Sequence, residues 1–548
     1  MAHRSSSCFI ATVAISALSL LGCSDGGGGS DNKSSDGSVS GGASAKGGNT
    51  GTGGSGSGGA SAKGGNAATG GSGSGGSSAQ GGSPGSGGSA SGGTSAQGGS
   101  TGSGGSASGG ASAQGGSTGS GGSAAGGSSG SPVSNWKTRV INTTDLKADP
   151  DDEMSLVRQL VYADWMDLEG IVVTSGCWRN KQDDAGMALA TGIVNAYGEV
   201  VSNLKVHSPD FPSLEYIQKI TVFGQKGYSM GDVGDGKNSP GSDMIIAAVD
   251  KKDDPRPVWT TCWGGCNTIA QALWDVKAKR TPEEVAKFVS KLRIYDILGQ
   301  DGALDWIAKT FPDLIAIRAQ GLVYSWQPSD AWVKENVQSH GALGKKYPNK
   351  AWTYEGDTPA FLHLIPNGLH DPSKVDQGGW GGRFGPDKKG NQKGMKADCS
   401  CAAPIYTDAE GTAINRWKVA IENDFAARMD WSVKSSLGEA NHPPIAILNG
   451  DTGKGVLEVS AAGGESVELS AAGSKDPDAG NTLSYKWWFY DEPSSFDGSV
   501  TIQNGSAEKA TVSVPSGAGG KNLHIILEVV DNGTPSLTAY RRMIINVK

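Results

Sequence analysis

Between Ser24 and Ser131 the chain is dominated by glycine, serine and alanine and holds no aromatic residue. Such a stretch cannot bury enough apolar surface to offset chain entropy, so it is expected to be a disordered linker. Part of it is an internal repeat: the run GGSASGGTSAQGGSTGS from Gly87 recurs from Gly104 with Ala111 in place of Thr94. As a flexible coil of about 110 residues it would reach roughly 55–60 Å root-mean-square, enough to hold a folded head away from an anchor. All 15 tryptophans lie from Trp136 onward, so a core can form only there. The organisation expected is a leader over 1–22, the linker over 23–133, a first domain over 134–440 and a second over 441–548.

The formal net charge is -8, with no long basic run, which argues against a nucleic-acid duplex or an anionic membrane surface as partner. Membrane association is expected only through the N-terminus. His3 and Arg4 precede an apolar stretch, Cys8 to Leu21, too short for a comfortable span. It ends in Leu20-Leu21-Gly22-Cys23, which resembles the bacterial lipobox. That resemblance implies export, cleavage before Cys23 and lipid attachment to it, at the cell envelope on the periplasmic or outer side; an ordinary signal peptide is the plainer alternative. Cys177, Cys262, Cys266, Cys399 and Cys401 remain, an odd number for an oxidising compartment, with disulfides or packing favoured over zinc because no histidine pair completes a ligand set.

From Trp136 to about residue 440, strand-like and helical runs alternate. TRVINTT, LEGIVVTSG, RPVWTTCW, KLRIYDILG and LIAIRAQ read as apolar strands. MALATGIVNAYGEVVSNL, NTIAQALWDVKA and ALDWIAKTF read as the helices between them. This alternation predicts an α/β domain, a mostly parallel sheet with helices on both faces. After Asn441 the pattern becomes short strands and tight turns, predicting an all-β, Ig-like sandwich. Trp487 and Trp488 are consecutive on one strand and so point to opposite faces; one is expected in the sandwich core, the other outward, where it is a candidate carbohydrate contact. Asp476 and Asp478 are expected to form a turn.

Chemistry concentrates in NTTDLKADPDDEMSLVRQL, Asn142 to Leu160. The strand TRVINTT delivers Asp145 to a carboxyl end, where open parallel sheets bind ligands. Asp149 is expected to cap the following helix, with Pro150 at its first position and Asp151 and Asp152 in its first turn. Capping accounts for one aspartate and leaves Asp145 unexplained; converging carboxylates are hard oxygen ligands suited to calcium or magnesium.

This string resembles the aspartate cluster of nucleoside hydrolases, calcium-dependent enzymes that cleave the N-glycosidic bond of ribonucleosides, with two residues inserted after Asp145. LEGIVVTSG resembles the family's second strand, with Cys177 where an asparagine is usual. PVWTTCWGGCNTIAQAL resembles a later strand, turn and helix, with Asn267 in register. NGLHDPS resembles the family's His-Asp pair at His370 and Asp371. YEGDTPAFLHLIPNGLHDP and GGWGGRF, followed by a sandwich, are similar to a secreted bacterial branch, some members of which are described as cellulose-binding.

The resemblance implies Ca2+ held by Asp145, Asp152, Asp371 and the Cys262 backbone carbonyl. It implies Asp145 as general base, Asp151 on a sugar hydroxyl and His370 as acid for the leaving group, although a structural hydrogen bond is an equal reading for that histidine. Glu355, Asp357 and Asn267 are the implied sugar contacts. Trp380 and Arg383, on the loop GGWGGRF, are candidates for stacking and contact, with a buried loop anchor as the alternative for Trp380. The function expected is glycosidic hydrolysis of a nucleoside or related saccharide; a non-catalytic carbohydrate-binding protein is the alternative. Oligomeric state is left open.

Overall fold

The computed structural model describes residues 8–14, 17–23, 137–386 and 405–548. The glycine-rich linker, Cys399, Cys401 and the side chain of Cys23 lie outside the described residues. Cys8–Ala14 and Ala17–Cys23 pair as an antiparallel hairpin. Among the described residues no helix is long and apolar enough to cross a membrane.

The first domain is built on strands β1 (Thr138–Thr144), β2 (Met166–Val173), β3 (Thr221–Phe223), β4 (Val258–Cys262), β5 (Leu292–Ile297), β6 (Ile315–Ala319), β7 (Phe384–Pro386) and β8 (Ile405–Asp408). They form one sheet in the order β3-β2-β1-β4-β5-β6-β8-β7. All pair in parallel except β7, which runs antiparallel on β8. The alternation expected of the sheet is visible in β1, where Val140 faces one core and Ile141 the other, both fully buried. One face is covered by helices that include α1 (Asp151–Val161), α2 (Asp184–His207) and a long helix over Lys418–Val433; the other by helices that include Pro240–Val249, Asn267–Lys279 and Ala303–Thr310.

The second domain is the sandwich. Strands β9 (Leu457–Ala461), β11 (Leu483–Tyr490), β14 (Asn522–Asp531) and β15 (Thr538–Val547) form one sheet in the order β9-β15-β14-β11. Strands β10 (Ser466–Ser470), β12 (Thr501–Gln503) and β13 (Lys509–Ser513) form the other, in the order β10-β13-β12. Trp487 points into the core between them, its indole N–H donating to the Ala507 carbonyl at 2.9 Å. Trp488 points the other way, as a strand requires, but is not free: it lies 5.9 Å from Trp417 of the first domain and donates to Glu528. Asp476 forms the expected turn by accepting from the Asp478 N–H, and Asp478 in turn receives the backbone and ring of His442.

The outer face of the four-stranded sheet is glued to the first domain. Tyr490, Ile526 and Tyr540 belong to the same buried cluster as α1 and α2. Arg542 is fully buried and donates to the carbonyls of Gln377 at 2.8 Å and Gly378 at 3.0 Å. Gly368, at φ +93°, lies against the Tyr540 carbonyl, where any side chain would collide.

Arg428, on the Lys418–Val433 helix, is 1% exposed between Asp164 (2.6 Å) and Asp424 (2.9 Å) and beside the ring of Tyr162. Removing one member of such a buried group leaves uncompensated charge, so Arg428→Ala is expected to cost about 3–5 kcal/mol. Urea denaturation followed by tryptophan fluorescence measures this; a loss below about 1 kcal/mol, the ceiling typical of an exposed pair, would contradict it.

Candidate functional site

The acidic stretch opens a cavity of about 190 Å³ at the carboxyl ends of the central strands. Its wall includes Asp145, Asp149, Asp151, Asp152, Trp178, Gln300, Tyr324, Trp352 and Asp357. Asp145 leaves the end of β1, whose neighbours on either side are β2 and β4. Those neighbours turn away through Gly176 and Gly264, and both glycines are required by Asp145. A Cβ at Gly176 would overlap its carboxylate, and one at Gly264 would come 2.6 Å from its Cγ. The turn after β4 is also pinned by the Cys262–Cys266 disulfide and by Asp301, which accepts the Cys266 N–H at 3.2 Å.

The helix after Asp145 starts differently in detail from expectation. Pro150, rather than Asp149, occupies the N-cap, and no side chain caps it. Asp149 still accepts the Asp151 N–H at 3.2 Å, so its carboxylate offsets one orphan donor from one residue farther back. Carboxylate oxygens of Asp149, Asp151 and Asp152 lie within 4.8 Å of one another. The Thr144 hydroxyl donates to Asp152, which also shares a carboxyl hydrogen bond with Asp145.

Asp145, Asp152 and Asp357 are 1–2% exposed. Dehydration and mutual repulsion push their protons on. Burial, then the charge of Asp149, raises Asp145 to about 8; burial raises Asp149 to about 6. Asp152 is raised by burial and by Asp145, and Asp357 by burial and by Asp152, Asp149 and Asp145. Oδ2 of Asp145 and Oδ2 of Asp357 are buried with no hydrogen-bond partner, as is Oε1 of Gln300. Unpaired buried carboxylate oxygens are costly unless a proton or a cation completes them, and the all-oxygen donor set matches a hard divalent ion.

Asp357 was expected on a sugar hydroxyl; the structure instead makes it the fifth carboxylate lining the cavity. Gly356 permits this, because a Cβ there would strike the Asp151 carboxylate. Asp371, expected in that place, is exposed. Its carboxylate accepts the Ser373 N–H at 2.8 Å and its field acts on Arg293, the second residue of β5. His370 is likewise remote. It packs 4.7 Å from His363, whose ring lies 5.4 Å from Trp259. Trp259 pairs with Val140, five residues before Asp145, or roughly 16 Å along a strand. The His-Asp pair therefore sits toward the amino ends of the strands, away from the cavity.

Four other expected contacts have structural duties. Glu355 is fully buried in an ion pair with Arg158 at 2.8 Å and accepts from the Tyr347 hydroxyl. Asn267 spends its amide on Thr174, Ser175 and the Gly227 carbonyl, tying together the loops after β2 and β3. Trp380 is 1% exposed, edge-on to Tyr540, so the buried-anchor alternative holds. Arg383 pairs with Glu410 at 2.7 Å and reaches the Glu492 carbonyl. Cys262 ends β4 in register with Thr143, its sulfur in the disulfide.

Sequence reasoning missed Trp178, Gln300, Tyr324 and Trp352. Trp178 and Gln300 follow strands β2 and β5 at their carboxyl ends, a position that itself marks a site-facing residue. Tyr324 ends a short 3-10 turn, Gly321–Tyr324, and Trp352 stands on an irregular segment; neither carries such a signal.

The description "Cellulose-binding Sde182, nucleoside hydrolase-like domain" matches residues 139–384, and "Cellulose-binding protein Sde0182, C-terminal domain" matches residues 466–547. A solved nucleoside hydrolase-related hypothetical protein from Saccharophagus degradans, described as associated with carbohydrate metabolism, is 53% identical, with a TM-score of 0.72 over 75% of this chain and 100% of that one. The effector protein XOO4466 is 12% identical, with a TM-score of 0.34 over 55% of this chain and 95% of that one. No curated protein sequence matches the chain.

The acidic cluster makes stability depend on pH. Carboxyls that keep their protons to about 8 and about 6 when folded lose them near 3.9 when unfolded. Their contribution is therefore present at low pH and is lost as pH rises through those values. Cation-free protein is expected to melt at a lower temperature at pH 8 than at pH 5, and Asp145→Asn to reduce the difference. Added calcium should raise the melting temperature more at pH 8 than at pH 5. Calorimetry that finds the same calcium effect at both values would count against this.

Proposed function

The chain belongs to the family of cellulose-binding, nucleoside hydrolase-like proteins, and from that membership we propose that its acidic cavity hydrolyses a glycosidic bond with the help of a bound divalent cation. Calcium fits the donors best. Asp145, Asp152 and Asp357 would hold it, with the Cys262 carbonyl and Gln300 Oε1 as neutral oxygen donors. When bound, it would lower the pKa of a water and orient sugar hydroxyls.

The remaining chemistry falls to the protein. Asp145 accepts a proton from the attacking water, whose oxygen adds to the anomeric carbon as the glycosidic bond breaks. Asp151, at the cavity wall, holds a sugar hydroxyl. The departing group takes its proton from solvent, because His370 lies elsewhere. The observation that carries this reading is the convergence of Asp145, Asp149, Asp152 and Asp357 in one cavity with two carboxylate oxygens unpartnered. The displacement of His370 favours a second reading, a saccharide-binding protein that holds the cation without turnover. The N-terminal motif supports export and lipid anchoring at Cys23.

Purified protein loaded with calcium should release base from nucleosides or reducing sugar from gluco-oligosaccharides. Asp152→Asn should lower kcat/KM at least about a thousandfold, the scale of losing a principal electrostatic or acid–base group, and chelation should abolish turnover. Calcium-loaded protein that binds saccharide and turns over none of these substrates would establish the binding reading instead. In a bacterial host, Cys23→Ser should move the protein from the membrane to the soluble fraction and remove palmitate labelling; unchanged fractionation and labelling would refute the anchor.

A further inference from the structure

Saccharides are bound through aromatic rings that stack on the apolar faces of pyranoses, so tryptophans left at the surface mark a binding face. The sandwich offers none among the described residues. Trp487 is 5% exposed within its core, and Trp488 is packed on Trp417 and tied to Glu528. The tryptophan of the GGWGGRF loop, Trp380, is buried as well. One tryptophan stands out in the first domain. Trp352 is 61% exposed, and it lies on the wall of the acidic cavity together with half-buried Trp178.

The cavity itself, about 190 Å³, falls below the range of about 300–1,000 Å³ that encloses a drug-sized ligand. It has room for one ring, so anything attached to that ring must leave past the rim. On the reading that this cavity takes a glycoside, we propose that the saccharide-binding face is its mouth, where Trp178 and Trp352 stack the end of a β-glucan chain whose terminal residue enters among the carboxylates. The ligand is then a chain end rather than a nucleoside, and the sandwich contributes by holding the first domain together.

The test uses the full chain at low temperature, with chromatography of the ligand to confirm that it is intact while binding is read. Calorimetric titration with cellohexaose and depletion by amorphous cellulose are run on this protein and on versions with Trp352→Ala or Trp352→Tyr added. Trp352→Ala is expected to weaken cellohexaose binding about tenfold, the size of one lost stacking contact, and Trp352→Tyr to restore most of it. Trp352 is exposed and outside the core, and near-UV circular dichroism checks that its variants keep the fold. Equal affinity with and without Trp352, or binding of inosine but not of cellohexaose, overturns the proposal. The two readings fail separately. Glucan binding lost on Trp352→Ala without turnover in the unmutated protein sinks only the hydrolase. Turnover that Trp352→Ala leaves untouched sinks only the stacking face.

Discussion

Five aspartates brought to the wall of one cavity repel one another, and the surrounding structure is arranged to hold them there. Asp145 stands at the end of a central strand whose neighbours turn through glycines where side chains would fill its space. Asp152 is fixed by Thr144, and Asp149 by the helix start it supports. Asn267 knots the loops after β2 and β3, while the Cys262–Cys266 bridge and Asp301 hold the turn after β4. These contacts offset only part of the repulsion, through the Thr144 hydroxyl on Asp152. They preorganise it, so that a proton or a cation entering the cavity gains more than it would from the same groups in water.

The second domain is part of this rigidity. Its outer sheet face, which an isolated sandwich would expose to solvent, buries Tyr490, Ile526 and Tyr540 in the same core as the helices beside the cavity. Arg542 then fastens the loop at Gln377 and Gly378. Buried charge donating to backbone carbonyls is a strong and directional tie. It explains why GGWGGRF, which reads as a flexible loop, is closely held: Trp380 is sealed against Tyr540, Arg383 spans to Glu410 and Glu492, and Tyr295 donates to the Gly381 carbonyl.

Much of this architecture was legible in the chain. The strand TRVINTT and the helix opened by NTIAQAL appear as read, because period and burial agree where a parallel sheet is covered on both faces. The convergence of Asp145, Asp151 and Asp152 was legible for the same reason: a strand end and the helix start that follows it are close in space whatever else the fold does. Contacts across long separations were not. His370-Asp371 has the composition of a site motif, but its position depends on Arg542 and Tyr540, well over a hundred residues away. Asn267 and Glu355 have the chemistry of ligand-binding groups, and only their partners show that this chemistry is already spent.

The exchange of Asp371 for Asp357 follows from the same anchoring. The segment from His363 to Phe384 is gripped on one side by the sandwich and on the other by Trp259, near the amino end of β4. A segment held at that end of the sheet cannot also reach the carboxyl ends. Asp357 lies upstream of the grip, on a stretch that Gly356 allows to close down on Asp151. It is therefore the acidic residue of this region placed to complete the cluster. The histidine carried away with the anchored segment is buried and held below its ordinary basicity by dehydration, His363 and Arg542. That imidazole stands apart from the cavity, so on the hydrolytic reading the leaving group is not protonated by His370 and departs past the rim where Trp352 stands.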